Sequence, residues 1–222
     1  MRYYVKDSTL VIAGDFEAVS TGLNGGRSRV NYLFNRQVPR TFNPLDPGKY
    51  VEDAAAALQL GAKHFGLLTA VDMKNLQLIE TETLSVCITA GVSNGSDFRA
   101  QNKKVGTINI LLVSKEKLSE TALLGAIITA TEAKGLALLE KGYDFLGTNT
   151  DAVIVAYERE PEIDPNLKGP GAAKGLEPHM KMERELELSS EIPYAGSSTE
   201  FGRKITKAVL KGVKAGLTLR GE

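Results

Sequence analysis

Five short polar segments of the sequence hold the residue types that could do chemistry. They are residues 89–95, 106–110, 129–134, 147–152 and 194–199. Three of them lie at the ends of predicted strands, where sheet proteins usually display their binding residues. Their carboxylates, Glu132 and Asp151, and their hydroxyl groups are types that serve acid–base and nucleophilic catalysis. Composition and spacing alone do not identify a reaction.

Several common kinds of site are excluded by motifs that the sequence lacks. It contains no phosphate-binding loop, no glycine-rich dinucleotide fingerprint, and neither Gly-x-Ser-x-Gly nor His-Glu-x-x-His. With only His64 and His179, a metal site would depend largely on carboxylates. The single cysteine, Cys87, excludes an intrachain disulfide and is expected to be a small core residue.

The charge balance restricts the partners of the protein. Lys plus Arg total 27 and Asp plus Glu total 27, so the formal net charge is zero. This balance argues against broad binding of nucleic acid or of an anionic membrane, because both require a basic surface. No segment has the roughly 18 consecutive apolar residues of a membrane span, and no signal peptide is recognisable, so we expect a cytoplasmic protein.

The elements that must position the polar segments follow from hydrophobic periodicity and turn residues. Strands are predicted at residues 9–13, 16–19, 65–71, 76–80, 84–92, 106–113 and 152–157, with a glycine turn near residue 25 and an extended loop at 35–47. Helices are predicted at residues 50–60 and 119–141. The second is expected to be capped by Ser119 and to carry a stripe of small residues that allows close packing, formed by Ala126, Ala130, Ala133 and Ala137. A last helix is expected to begin with a capping box formed by Ser197 and Glu200.

This order of elements predicts an α/β or α+β fold. We expect a single domain over residues 1–222, with a mixed β-sheet and at least three helices packed on it. Residues 158–193 combine prolines, glycines and mixed charge, and they are predicted to form a surface excursion from this domain.

Taken in order, the polar segments resemble the adenosylcobinamide amidohydrolase family. The resemblance rests on the glycine turn at 25–26, Asn-Arg-Gln-Val at 35–38, Leu-Leu-Thr-Ala at 67–70, Thr-Ala-Gly-Val-Ser-Asn at 89–94, Gly-Thr-Ile-Asn at 106–109, Thr-Glu-Ala-Lys at 131–134, the segment 147–152 and the helix start at 195–202. Each motif alone is weak, whereas all of them in this order are a strong signal.

Two positions depart from the family pattern. Asn149 stands where the family usually has glycine, and Ser198 stands where it usually has histidine. If that histidine carries a proton in the reaction, Ser198 would leave this member slow, altered or inactive. If it only caps the helix, Ser198 can do the same.

The resemblance implies a hydrolase that cuts the amide joining aminopropanol to the corrin ring of adenosylcobinamide. The product would be adenosylcobyric acid, and the role would be salvage of cobalamin precursors. The corrinoid would be the substrate and the small-molecule partner, with no cofactor and no metal expected. The alternatives are a corrinoid-binding paralogue without hydrolase activity and an amide hydrolase that acts on another small molecule.

Hydrolysis of an unactivated amide sets requirements that the residues can be checked against. It needs an activated nucleophile, donors for the carbonyl oxygen, and an acid for the departing amine. We predict that Asp151 and Glu132 do the acid–base work on an attacking water. In a variant mechanism a hydroxyl such as that of Thr150 attacks, activated by a carboxylate or by Lys134. The predicted substrate-binding residues are Gly25, Gly26, Gly91, Ser93, Asn94, Thr148, Asn149, Ser198 and Thr199.

Structural roles are the alternatives for these residues. Asp151 could cap the turn before its strand, and Glu132 could be a solvated helix residue. The glycine turns could be backbone devices, and Ser198 could be a helix cap.

Overall fold

Eight strands form one mixed sheet in the computed structural model, which describes residues 1–92, 106–159 and 191–218. The strands are β1 (Arg2–Lys6), β2 (Thr9–Ser20), β3 (Gly26–Gln37), β4 (His64–Thr69), β5 (Gln77–Glu80), β6 (Leu84–Gly91), β7 (Thr107–Ser114) and β8 (Ala152–Glu158). Their order is β4-β3-β2-β8-β7-β6-β5, and β1 pairs with β2 beside this path. The pairs β3–β4 and β7–β8 are parallel, and the others are antiparallel.

Three α-helices accompany the sheet within the described residues: α1 (Pro47–Ala57), α2 (Glu120–Glu140) and α3 (Glu200–Thr218). A short 3₁₀ helix at Met73–Asn75 joins β4 to β5. The predicted mixed sheet with at least three helices is therefore confirmed, and the class is α+β.

The sheet bends so that its two halves face each other across an inner core. Leu10, Leu33 and Phe65, from β2, β3 and β4, pack in one cluster with Cys87 of β6 and Leu111 of β7. Because neighbouring residues of a strand point to opposite faces, alternate residues of β6, β7 and β8 face outward instead. The inner core is thus enclosed by strands on both sides.

Helices cover the two outer faces of the bent sheet. α2 and α3 pack on β6, β7 and β8, where Ile110 and Leu112 are fully buried. α1 packs on β2, β3 and β4, where Val51 and Ala54 share one buried cluster with Phe34. The result is a layered arrangement of helices, sheet, sheet and helix.

The long helix α2 is a core helix of this domain. Its predicted stripe of small residues is confirmed, since Ala126, Ala130, Ala133 and Ala137 are all buried. Its N-cap is also confirmed, because the Ser119 hydroxyl accepts from the amide of Ala122. By length and composition alone α2 could cross a membrane, yet 56% of its most apolar window is buried inside the protein.

Several predicted element boundaries are wrong, for local reasons. β2 is one strand rather than two, because its ladder to β3 resumes at Phe16 after a bulge between Ala13 and Phe16. β3 continues through Gln37, so the predicted loop begins later than expected. α1 begins at Pro47, with the Asp46 side chain accepting from the amide of Lys49.

The predicted capping box of the last helix is also wrong. α3 begins at Glu200, and the Thr199 hydroxyl accepts from the amide of Gly202 at 3.0 Å. Thr199, rather than Ser197, is therefore the cap. Gly202 has no side chain at this point because a Cβ would lie 1.9 Å from the carbonyl oxygen of Gly196.

Candidate active site

A cavity of about 500 Å³ opens at the edge of the inner core, where the starts of β7 and β8 meet the end of β4. Its polar wall includes Thr69, Thr107, Asn109, Asn149, Thr150 and Asp151. Its apolar wall comes largely from the loop between β3 and α1 and includes Leu23, Val38, Pro39, Phe42, Pro44, Pro47 and Leu67. A concave apolar site with a few convergent polar groups is typical of small-molecule binding.

Asp151 is the one charged residue among the described residues that line this cavity. Its Oδ1 atom accepts from the backbone amide of Ile108 at 2.7 Å and from the Thr148 hydroxyl at 2.5 Å. Its Oδ2 atom accepts from Nζ of Lys134 at 2.5 Å and from the backbone amide of Thr148 at 2.9 Å. A carboxylate offers about four lone-pair sites, so these donors occupy all of them and fix its orientation.

Lys134 is the buried partner of Asp151. It lies on α2, and the two side chains are only 8% and 10% exposed. Gly147 makes room for this pair, because a Cβ at that position would lie 2.6 Å from Nζ of Lys134 and 2.7 Å from Oδ2 of Asp151. The glycine therefore lets the backbone approach both charged groups.

A buried polar network lies beside the Asp151 cluster and links the two halves of the sheet. Nδ2 of Asn109 donates to Oδ1 of Asn35 at 2.9 Å and to the carbonyl oxygen of Leu68 at 2.8 Å. Nδ2 of Asn35 donates to the Thr89 hydroxyl at 2.9 Å. The Thr107 hydroxyl lies 3.1 Å from Oδ1 of Asn109. These contacts tie β3, β4, β6 and β7 together at the cavity.

The structure brings together the predicted residues of the segment 147–152. Asn149, Thr150 and Asp151 line the cavity, and Thr148 contacts Asp151. The Thr150 hydroxyl donates to the carbonyl oxygen of Gly106 at 3.0 Å, which joins this turn to the start of β7.

The glycines predicted to bind substrate lie near the cavity without lining it. Gly25 and Gly26 are exposed in the turn between β2 and β3, whereas Gly22 of the same turn does line the cavity. Gly26 has a φ of +112°, which explains its residue type by backbone conformation. Gly91 is buried at the end of β6 and pairs with Thr107.

Three other predicted residues, Glu132, Ser198 and Thr199, are not brought to the cavity. Glu132 is exposed on α2, and it is not among the residues that line the cavity. Ser198 and Thr199 lie before the start of α3. Near the other end of this helix, Gly216 packs on Ala90, which pairs with β7. At a rise of 1.5 Å per residue, Gly216 and Thr199 are roughly 26 Å apart along the helix. Ser93 and Asn94 fall outside the described residues.

Sequence reasoning missed part of the site. Thr107 and Asn109 were recognised as a polar segment but not as site residues, although their spacing of two places both on one face of a strand. The apolar wall from the loop at residues 38–47 carried no signal beyond its prolines.

Among the described residues, neither the cysteine thiol nor a cluster of metal-binding side chains provides a second reactive site. The Cys87 thiol lies in the inner core, where burial raises its pKa to about 12, so it is not a thiolate at neutral pH. No three His, Cys, Asp or Glu side chains of the described ranges are close enough together to hold a metal ion.

Comparison with known proteins adds close and distant relatives. The family model described as adenosylcobinamide amidohydrolase matches residues 2–173. A Methanosarcina mazei protein named adenosylcobinamide amidohydrolase is 61% identical over 222 residues and covers 100% of both chains. A Halobacterium salinarum protein of the same name is 28% identical over 214 residues, covering 91% of this chain and 80% of its own. A solved structure from Pyrococcus horikoshii is 11% identical with a TM-score of 0.42, covering 95% of this chain and 76% of its own.

Proposed function

The chain belongs to the adenosylcobinamide amidohydrolase family, and from this premise we propose that it hydrolyses the amide joining aminopropanol to the corrin ring of adenosylcobinamide. The protein is an amidohydrolase, and the products of this reaction are adenosylcobyric acid and aminopropanol. The observation that carries the proposal is the Asp151 carboxylate in the wall of the cavity, held in one orientation by four donors.

The cavity suits one side arm of the substrate. Its volume of about 500 Å³ lies within the roughly 300–1,000 Å³ of small-molecule sites, but a complete corrinoid is larger. We infer that the amide arm enters the cavity while the ring stays at its mouth. We assign contact with the ring edge to the apolar side chains of Leu23 and Phe42, which belong to the cavity lining.

Asp151 acts as the base in this mechanism. All four acceptor sites of its carboxylate are occupied. A water can therefore transfer its proton to Asp151 in two ways: it displaces one of the four donors, or it passes the proton through one of them. The Thr148 hydroxyl is the only neutral side-chain group among those donors, and it can give its proton to Oδ1 while taking one from the water. Thr148 is half-buried beside Asp151 and is not among the residues that line the cavity, so this relay from water to Asp151 requires the attacking water to bind next to Asp151 at that wall.

The carbonyl oxygen of the amide requires donors as it becomes negative. The side-chain amide of Asn149 is exposed in the cavity wall and can supply one. The Thr150 hydroxyl is engaged with Gly106, so its part is to hold the turn. Asp151, once protonated, returns the proton to the departing amine, which balances the reaction.

The direct test is incubation of the purified protein with adenosylcobinamide and detection of both products by mass spectrometry. The wild type is expected to release them, and Asp151→Asn is expected to lower kcat by roughly 10²–10⁴-fold, the usual share of general acid–base catalysis. Tight corrinoid binding without product would instead support a binding paralogue. Absence of corrinoid binding would support an amide hydrolase for another small molecule.

The position of Ser198 weakens one argument for the corrinoid-binding paralogue. Ser198, which replaces the family histidine, is exposed before α3, and its carbonyl oxygen accepts from Arg203 at 2.6 Å. It is not among the residues that line the cavity, so its substitution does not by itself remove a proton carrier from that wall. We place the enzyme in the cytoplasm, in salvage of cobalamin precursors.

A further inference from the structure

We propose that Lys134 is a positioning residue for this reaction, whose buried ammonium group holds the Asp151 carboxylate in the orientation that the reaction uses. This inference rests on the proposed function, since it assigns Lys134 a role through the proposed base. Lys134 is not among the residues that line the cavity, so it is not expected to touch the substrate.

Stability alone gives a weak reason for this ion pair. Lys134 is buried on a helix whose neighbouring positions Ala130, Ala133 and Ala137 are buried and apolar. Removing two charges from water is costly, and buried pairs are often replaced by apolar residues without loss of stability. Because Asp151 also lines the cavity, we infer a functional requirement for this ion pair.

The geometry shows how Lys134 can act through Asp151. Nζ contacts Oδ2 at 2.5 Å, on the carboxylate oxygen opposite the one that the Thr148 hydroxyl contacts. Together with the amide of Thr148, the ammonium anchors Oδ2 and directs Oδ1 towards the hydroxyl. Gly147 keeps the space that this approach needs.

Loss of the ammonium should be visible as a fall in kcat without a matching rise in KM. Lys134 is not among the residues that line the cavity, so its removal should leave substrate binding intact while it frees Oδ2 of Asp151 from one of its two donors. A purely structural role for Lys134 would lower kcat in the Asp151→Asn background as well.

The experiment compares the wild type with K134M, D151N and the double variant K134M/D151N, with K207M on the exposed face of α3 as the control. We expect K134M to lower kcat roughly 10²-fold, with a KM for adenosylcobinamide within about threefold of the wild type. K207M should match the wild type. In the D151N background, K134M should change kcat by less than about threefold, because its effect passes through Asp151.

The outcomes separate this inference from the proposed function. A wild type that releases no product contradicts both. A wild type that turns over, with K134M equal to it or with K134M lowering kcat equally in the wild-type and D151N backgrounds, contradicts only the role of Lys134. If K134M does not fold, the double variant is compared with D151N, because it leaves no charge of the pair unpartnered. Equal rates of these two variants support the inference, and a further large loss of kcat in the double variant contradicts it.

Discussion

Gly147→Ala is the most specific perturbation of the candidate active site, because it changes no group that could do chemistry. The added Cβ would lie 2.6 Å from Nζ of Lys134 and 2.7 Å from Oδ2 of Asp151, whereas ordinary van der Waals contact begins at 3.4 Å. Each charged atom must therefore retreat by about 0.7–0.8 Å, or the turn must shift by as much. The ion pair is disturbed in either case.

The expected cost follows from the size of this displacement. Misplacement of a reacting group by about 1 Å can cost as much as 10²-fold in rate. We therefore expect kcat to fall by about 10- to 100-fold, which corresponds to about 1.4–2.7 kcal/mol of transition-state stabilisation. Insertion of a methyl group into a packed site should also lower the free energy of unfolding by about 1–3 kcal/mol.

Steady-state hydrolysis of adenosylcobinamide and urea unfolding measure the two effects. Gly61→Ala is the matched control, because a Cβ there has no heavy atom within 4 Å, so both quantities should stay at wild-type values. Wild-type turnover and stability in G147A would refute the reasoning, since the pair would then tolerate a displacement that the mechanism forbids.

Three further predictions concern neighbouring groups. Thr148→Val removes the hydroxyl at Oδ1 of Asp151 and should lower kcat by about 10²-fold or more, whereas Thr148→Ser should retain most of the wild-type kcat. Equal steady-state rates for Thr148→Val and the wild type would exclude the proton relay. Asn109→Leu leaves the partners of a buried amide unpaired, so it should lower the free energy of unfolding by at least about 1–3 kcal/mol. Urea titration measures this change, and an unchanged unfolding midpoint would contradict the importance of the network. Burial raises the pKa of the Cys87 thiol to about 12, so Cys87 should resist iodoacetamide at pH 8 in the native protein and react with it in urea. The mass of the intact protein reports the labelling, and rapid labelling of the native protein would contradict the burial of Cys87.

The local elements of this fold were predictable because each is encoded by a short pattern. The apolar strand β8 and the Ala-rich helix α2 were found close to their bounds from periodicity and a serine cap. β1 and β3 were missed as strands, since β1 is exposed throughout and the first four residues of β3 are too. Strands without a buried face lack the alternation that reveals them.

The bend of the sheet was not predictable from such patterns. It depends on contacts between residues far apart in sequence, such as Asn35 with Asn109 and Asn109 with Leu68. These contacts bring the end of β4 to the start of β7, and the cavity exists only because of them. The segment 147–152 could be recognised as polar, but its partners across the cavity could not.

The two ionisable residues of the Thr-Glu-Ala-Lys motif show what such a pattern can and cannot assign. In an α-helix successive residues turn by about 100°, so Glu132 and Lys134 point to nearly opposite sides of α2. The buried positions Ala130, Ala133 and Ala137 lie three or four residues apart, and Lys134 follows Ala130 by four. The small-residue stripe already placed Lys134 on the inner face and Glu132 on the outer one. Of the two, only the lysine can reach Asp151, and the prediction that Glu132 shares the acid–base work requires a substrate group that extends to the solvent side of α2.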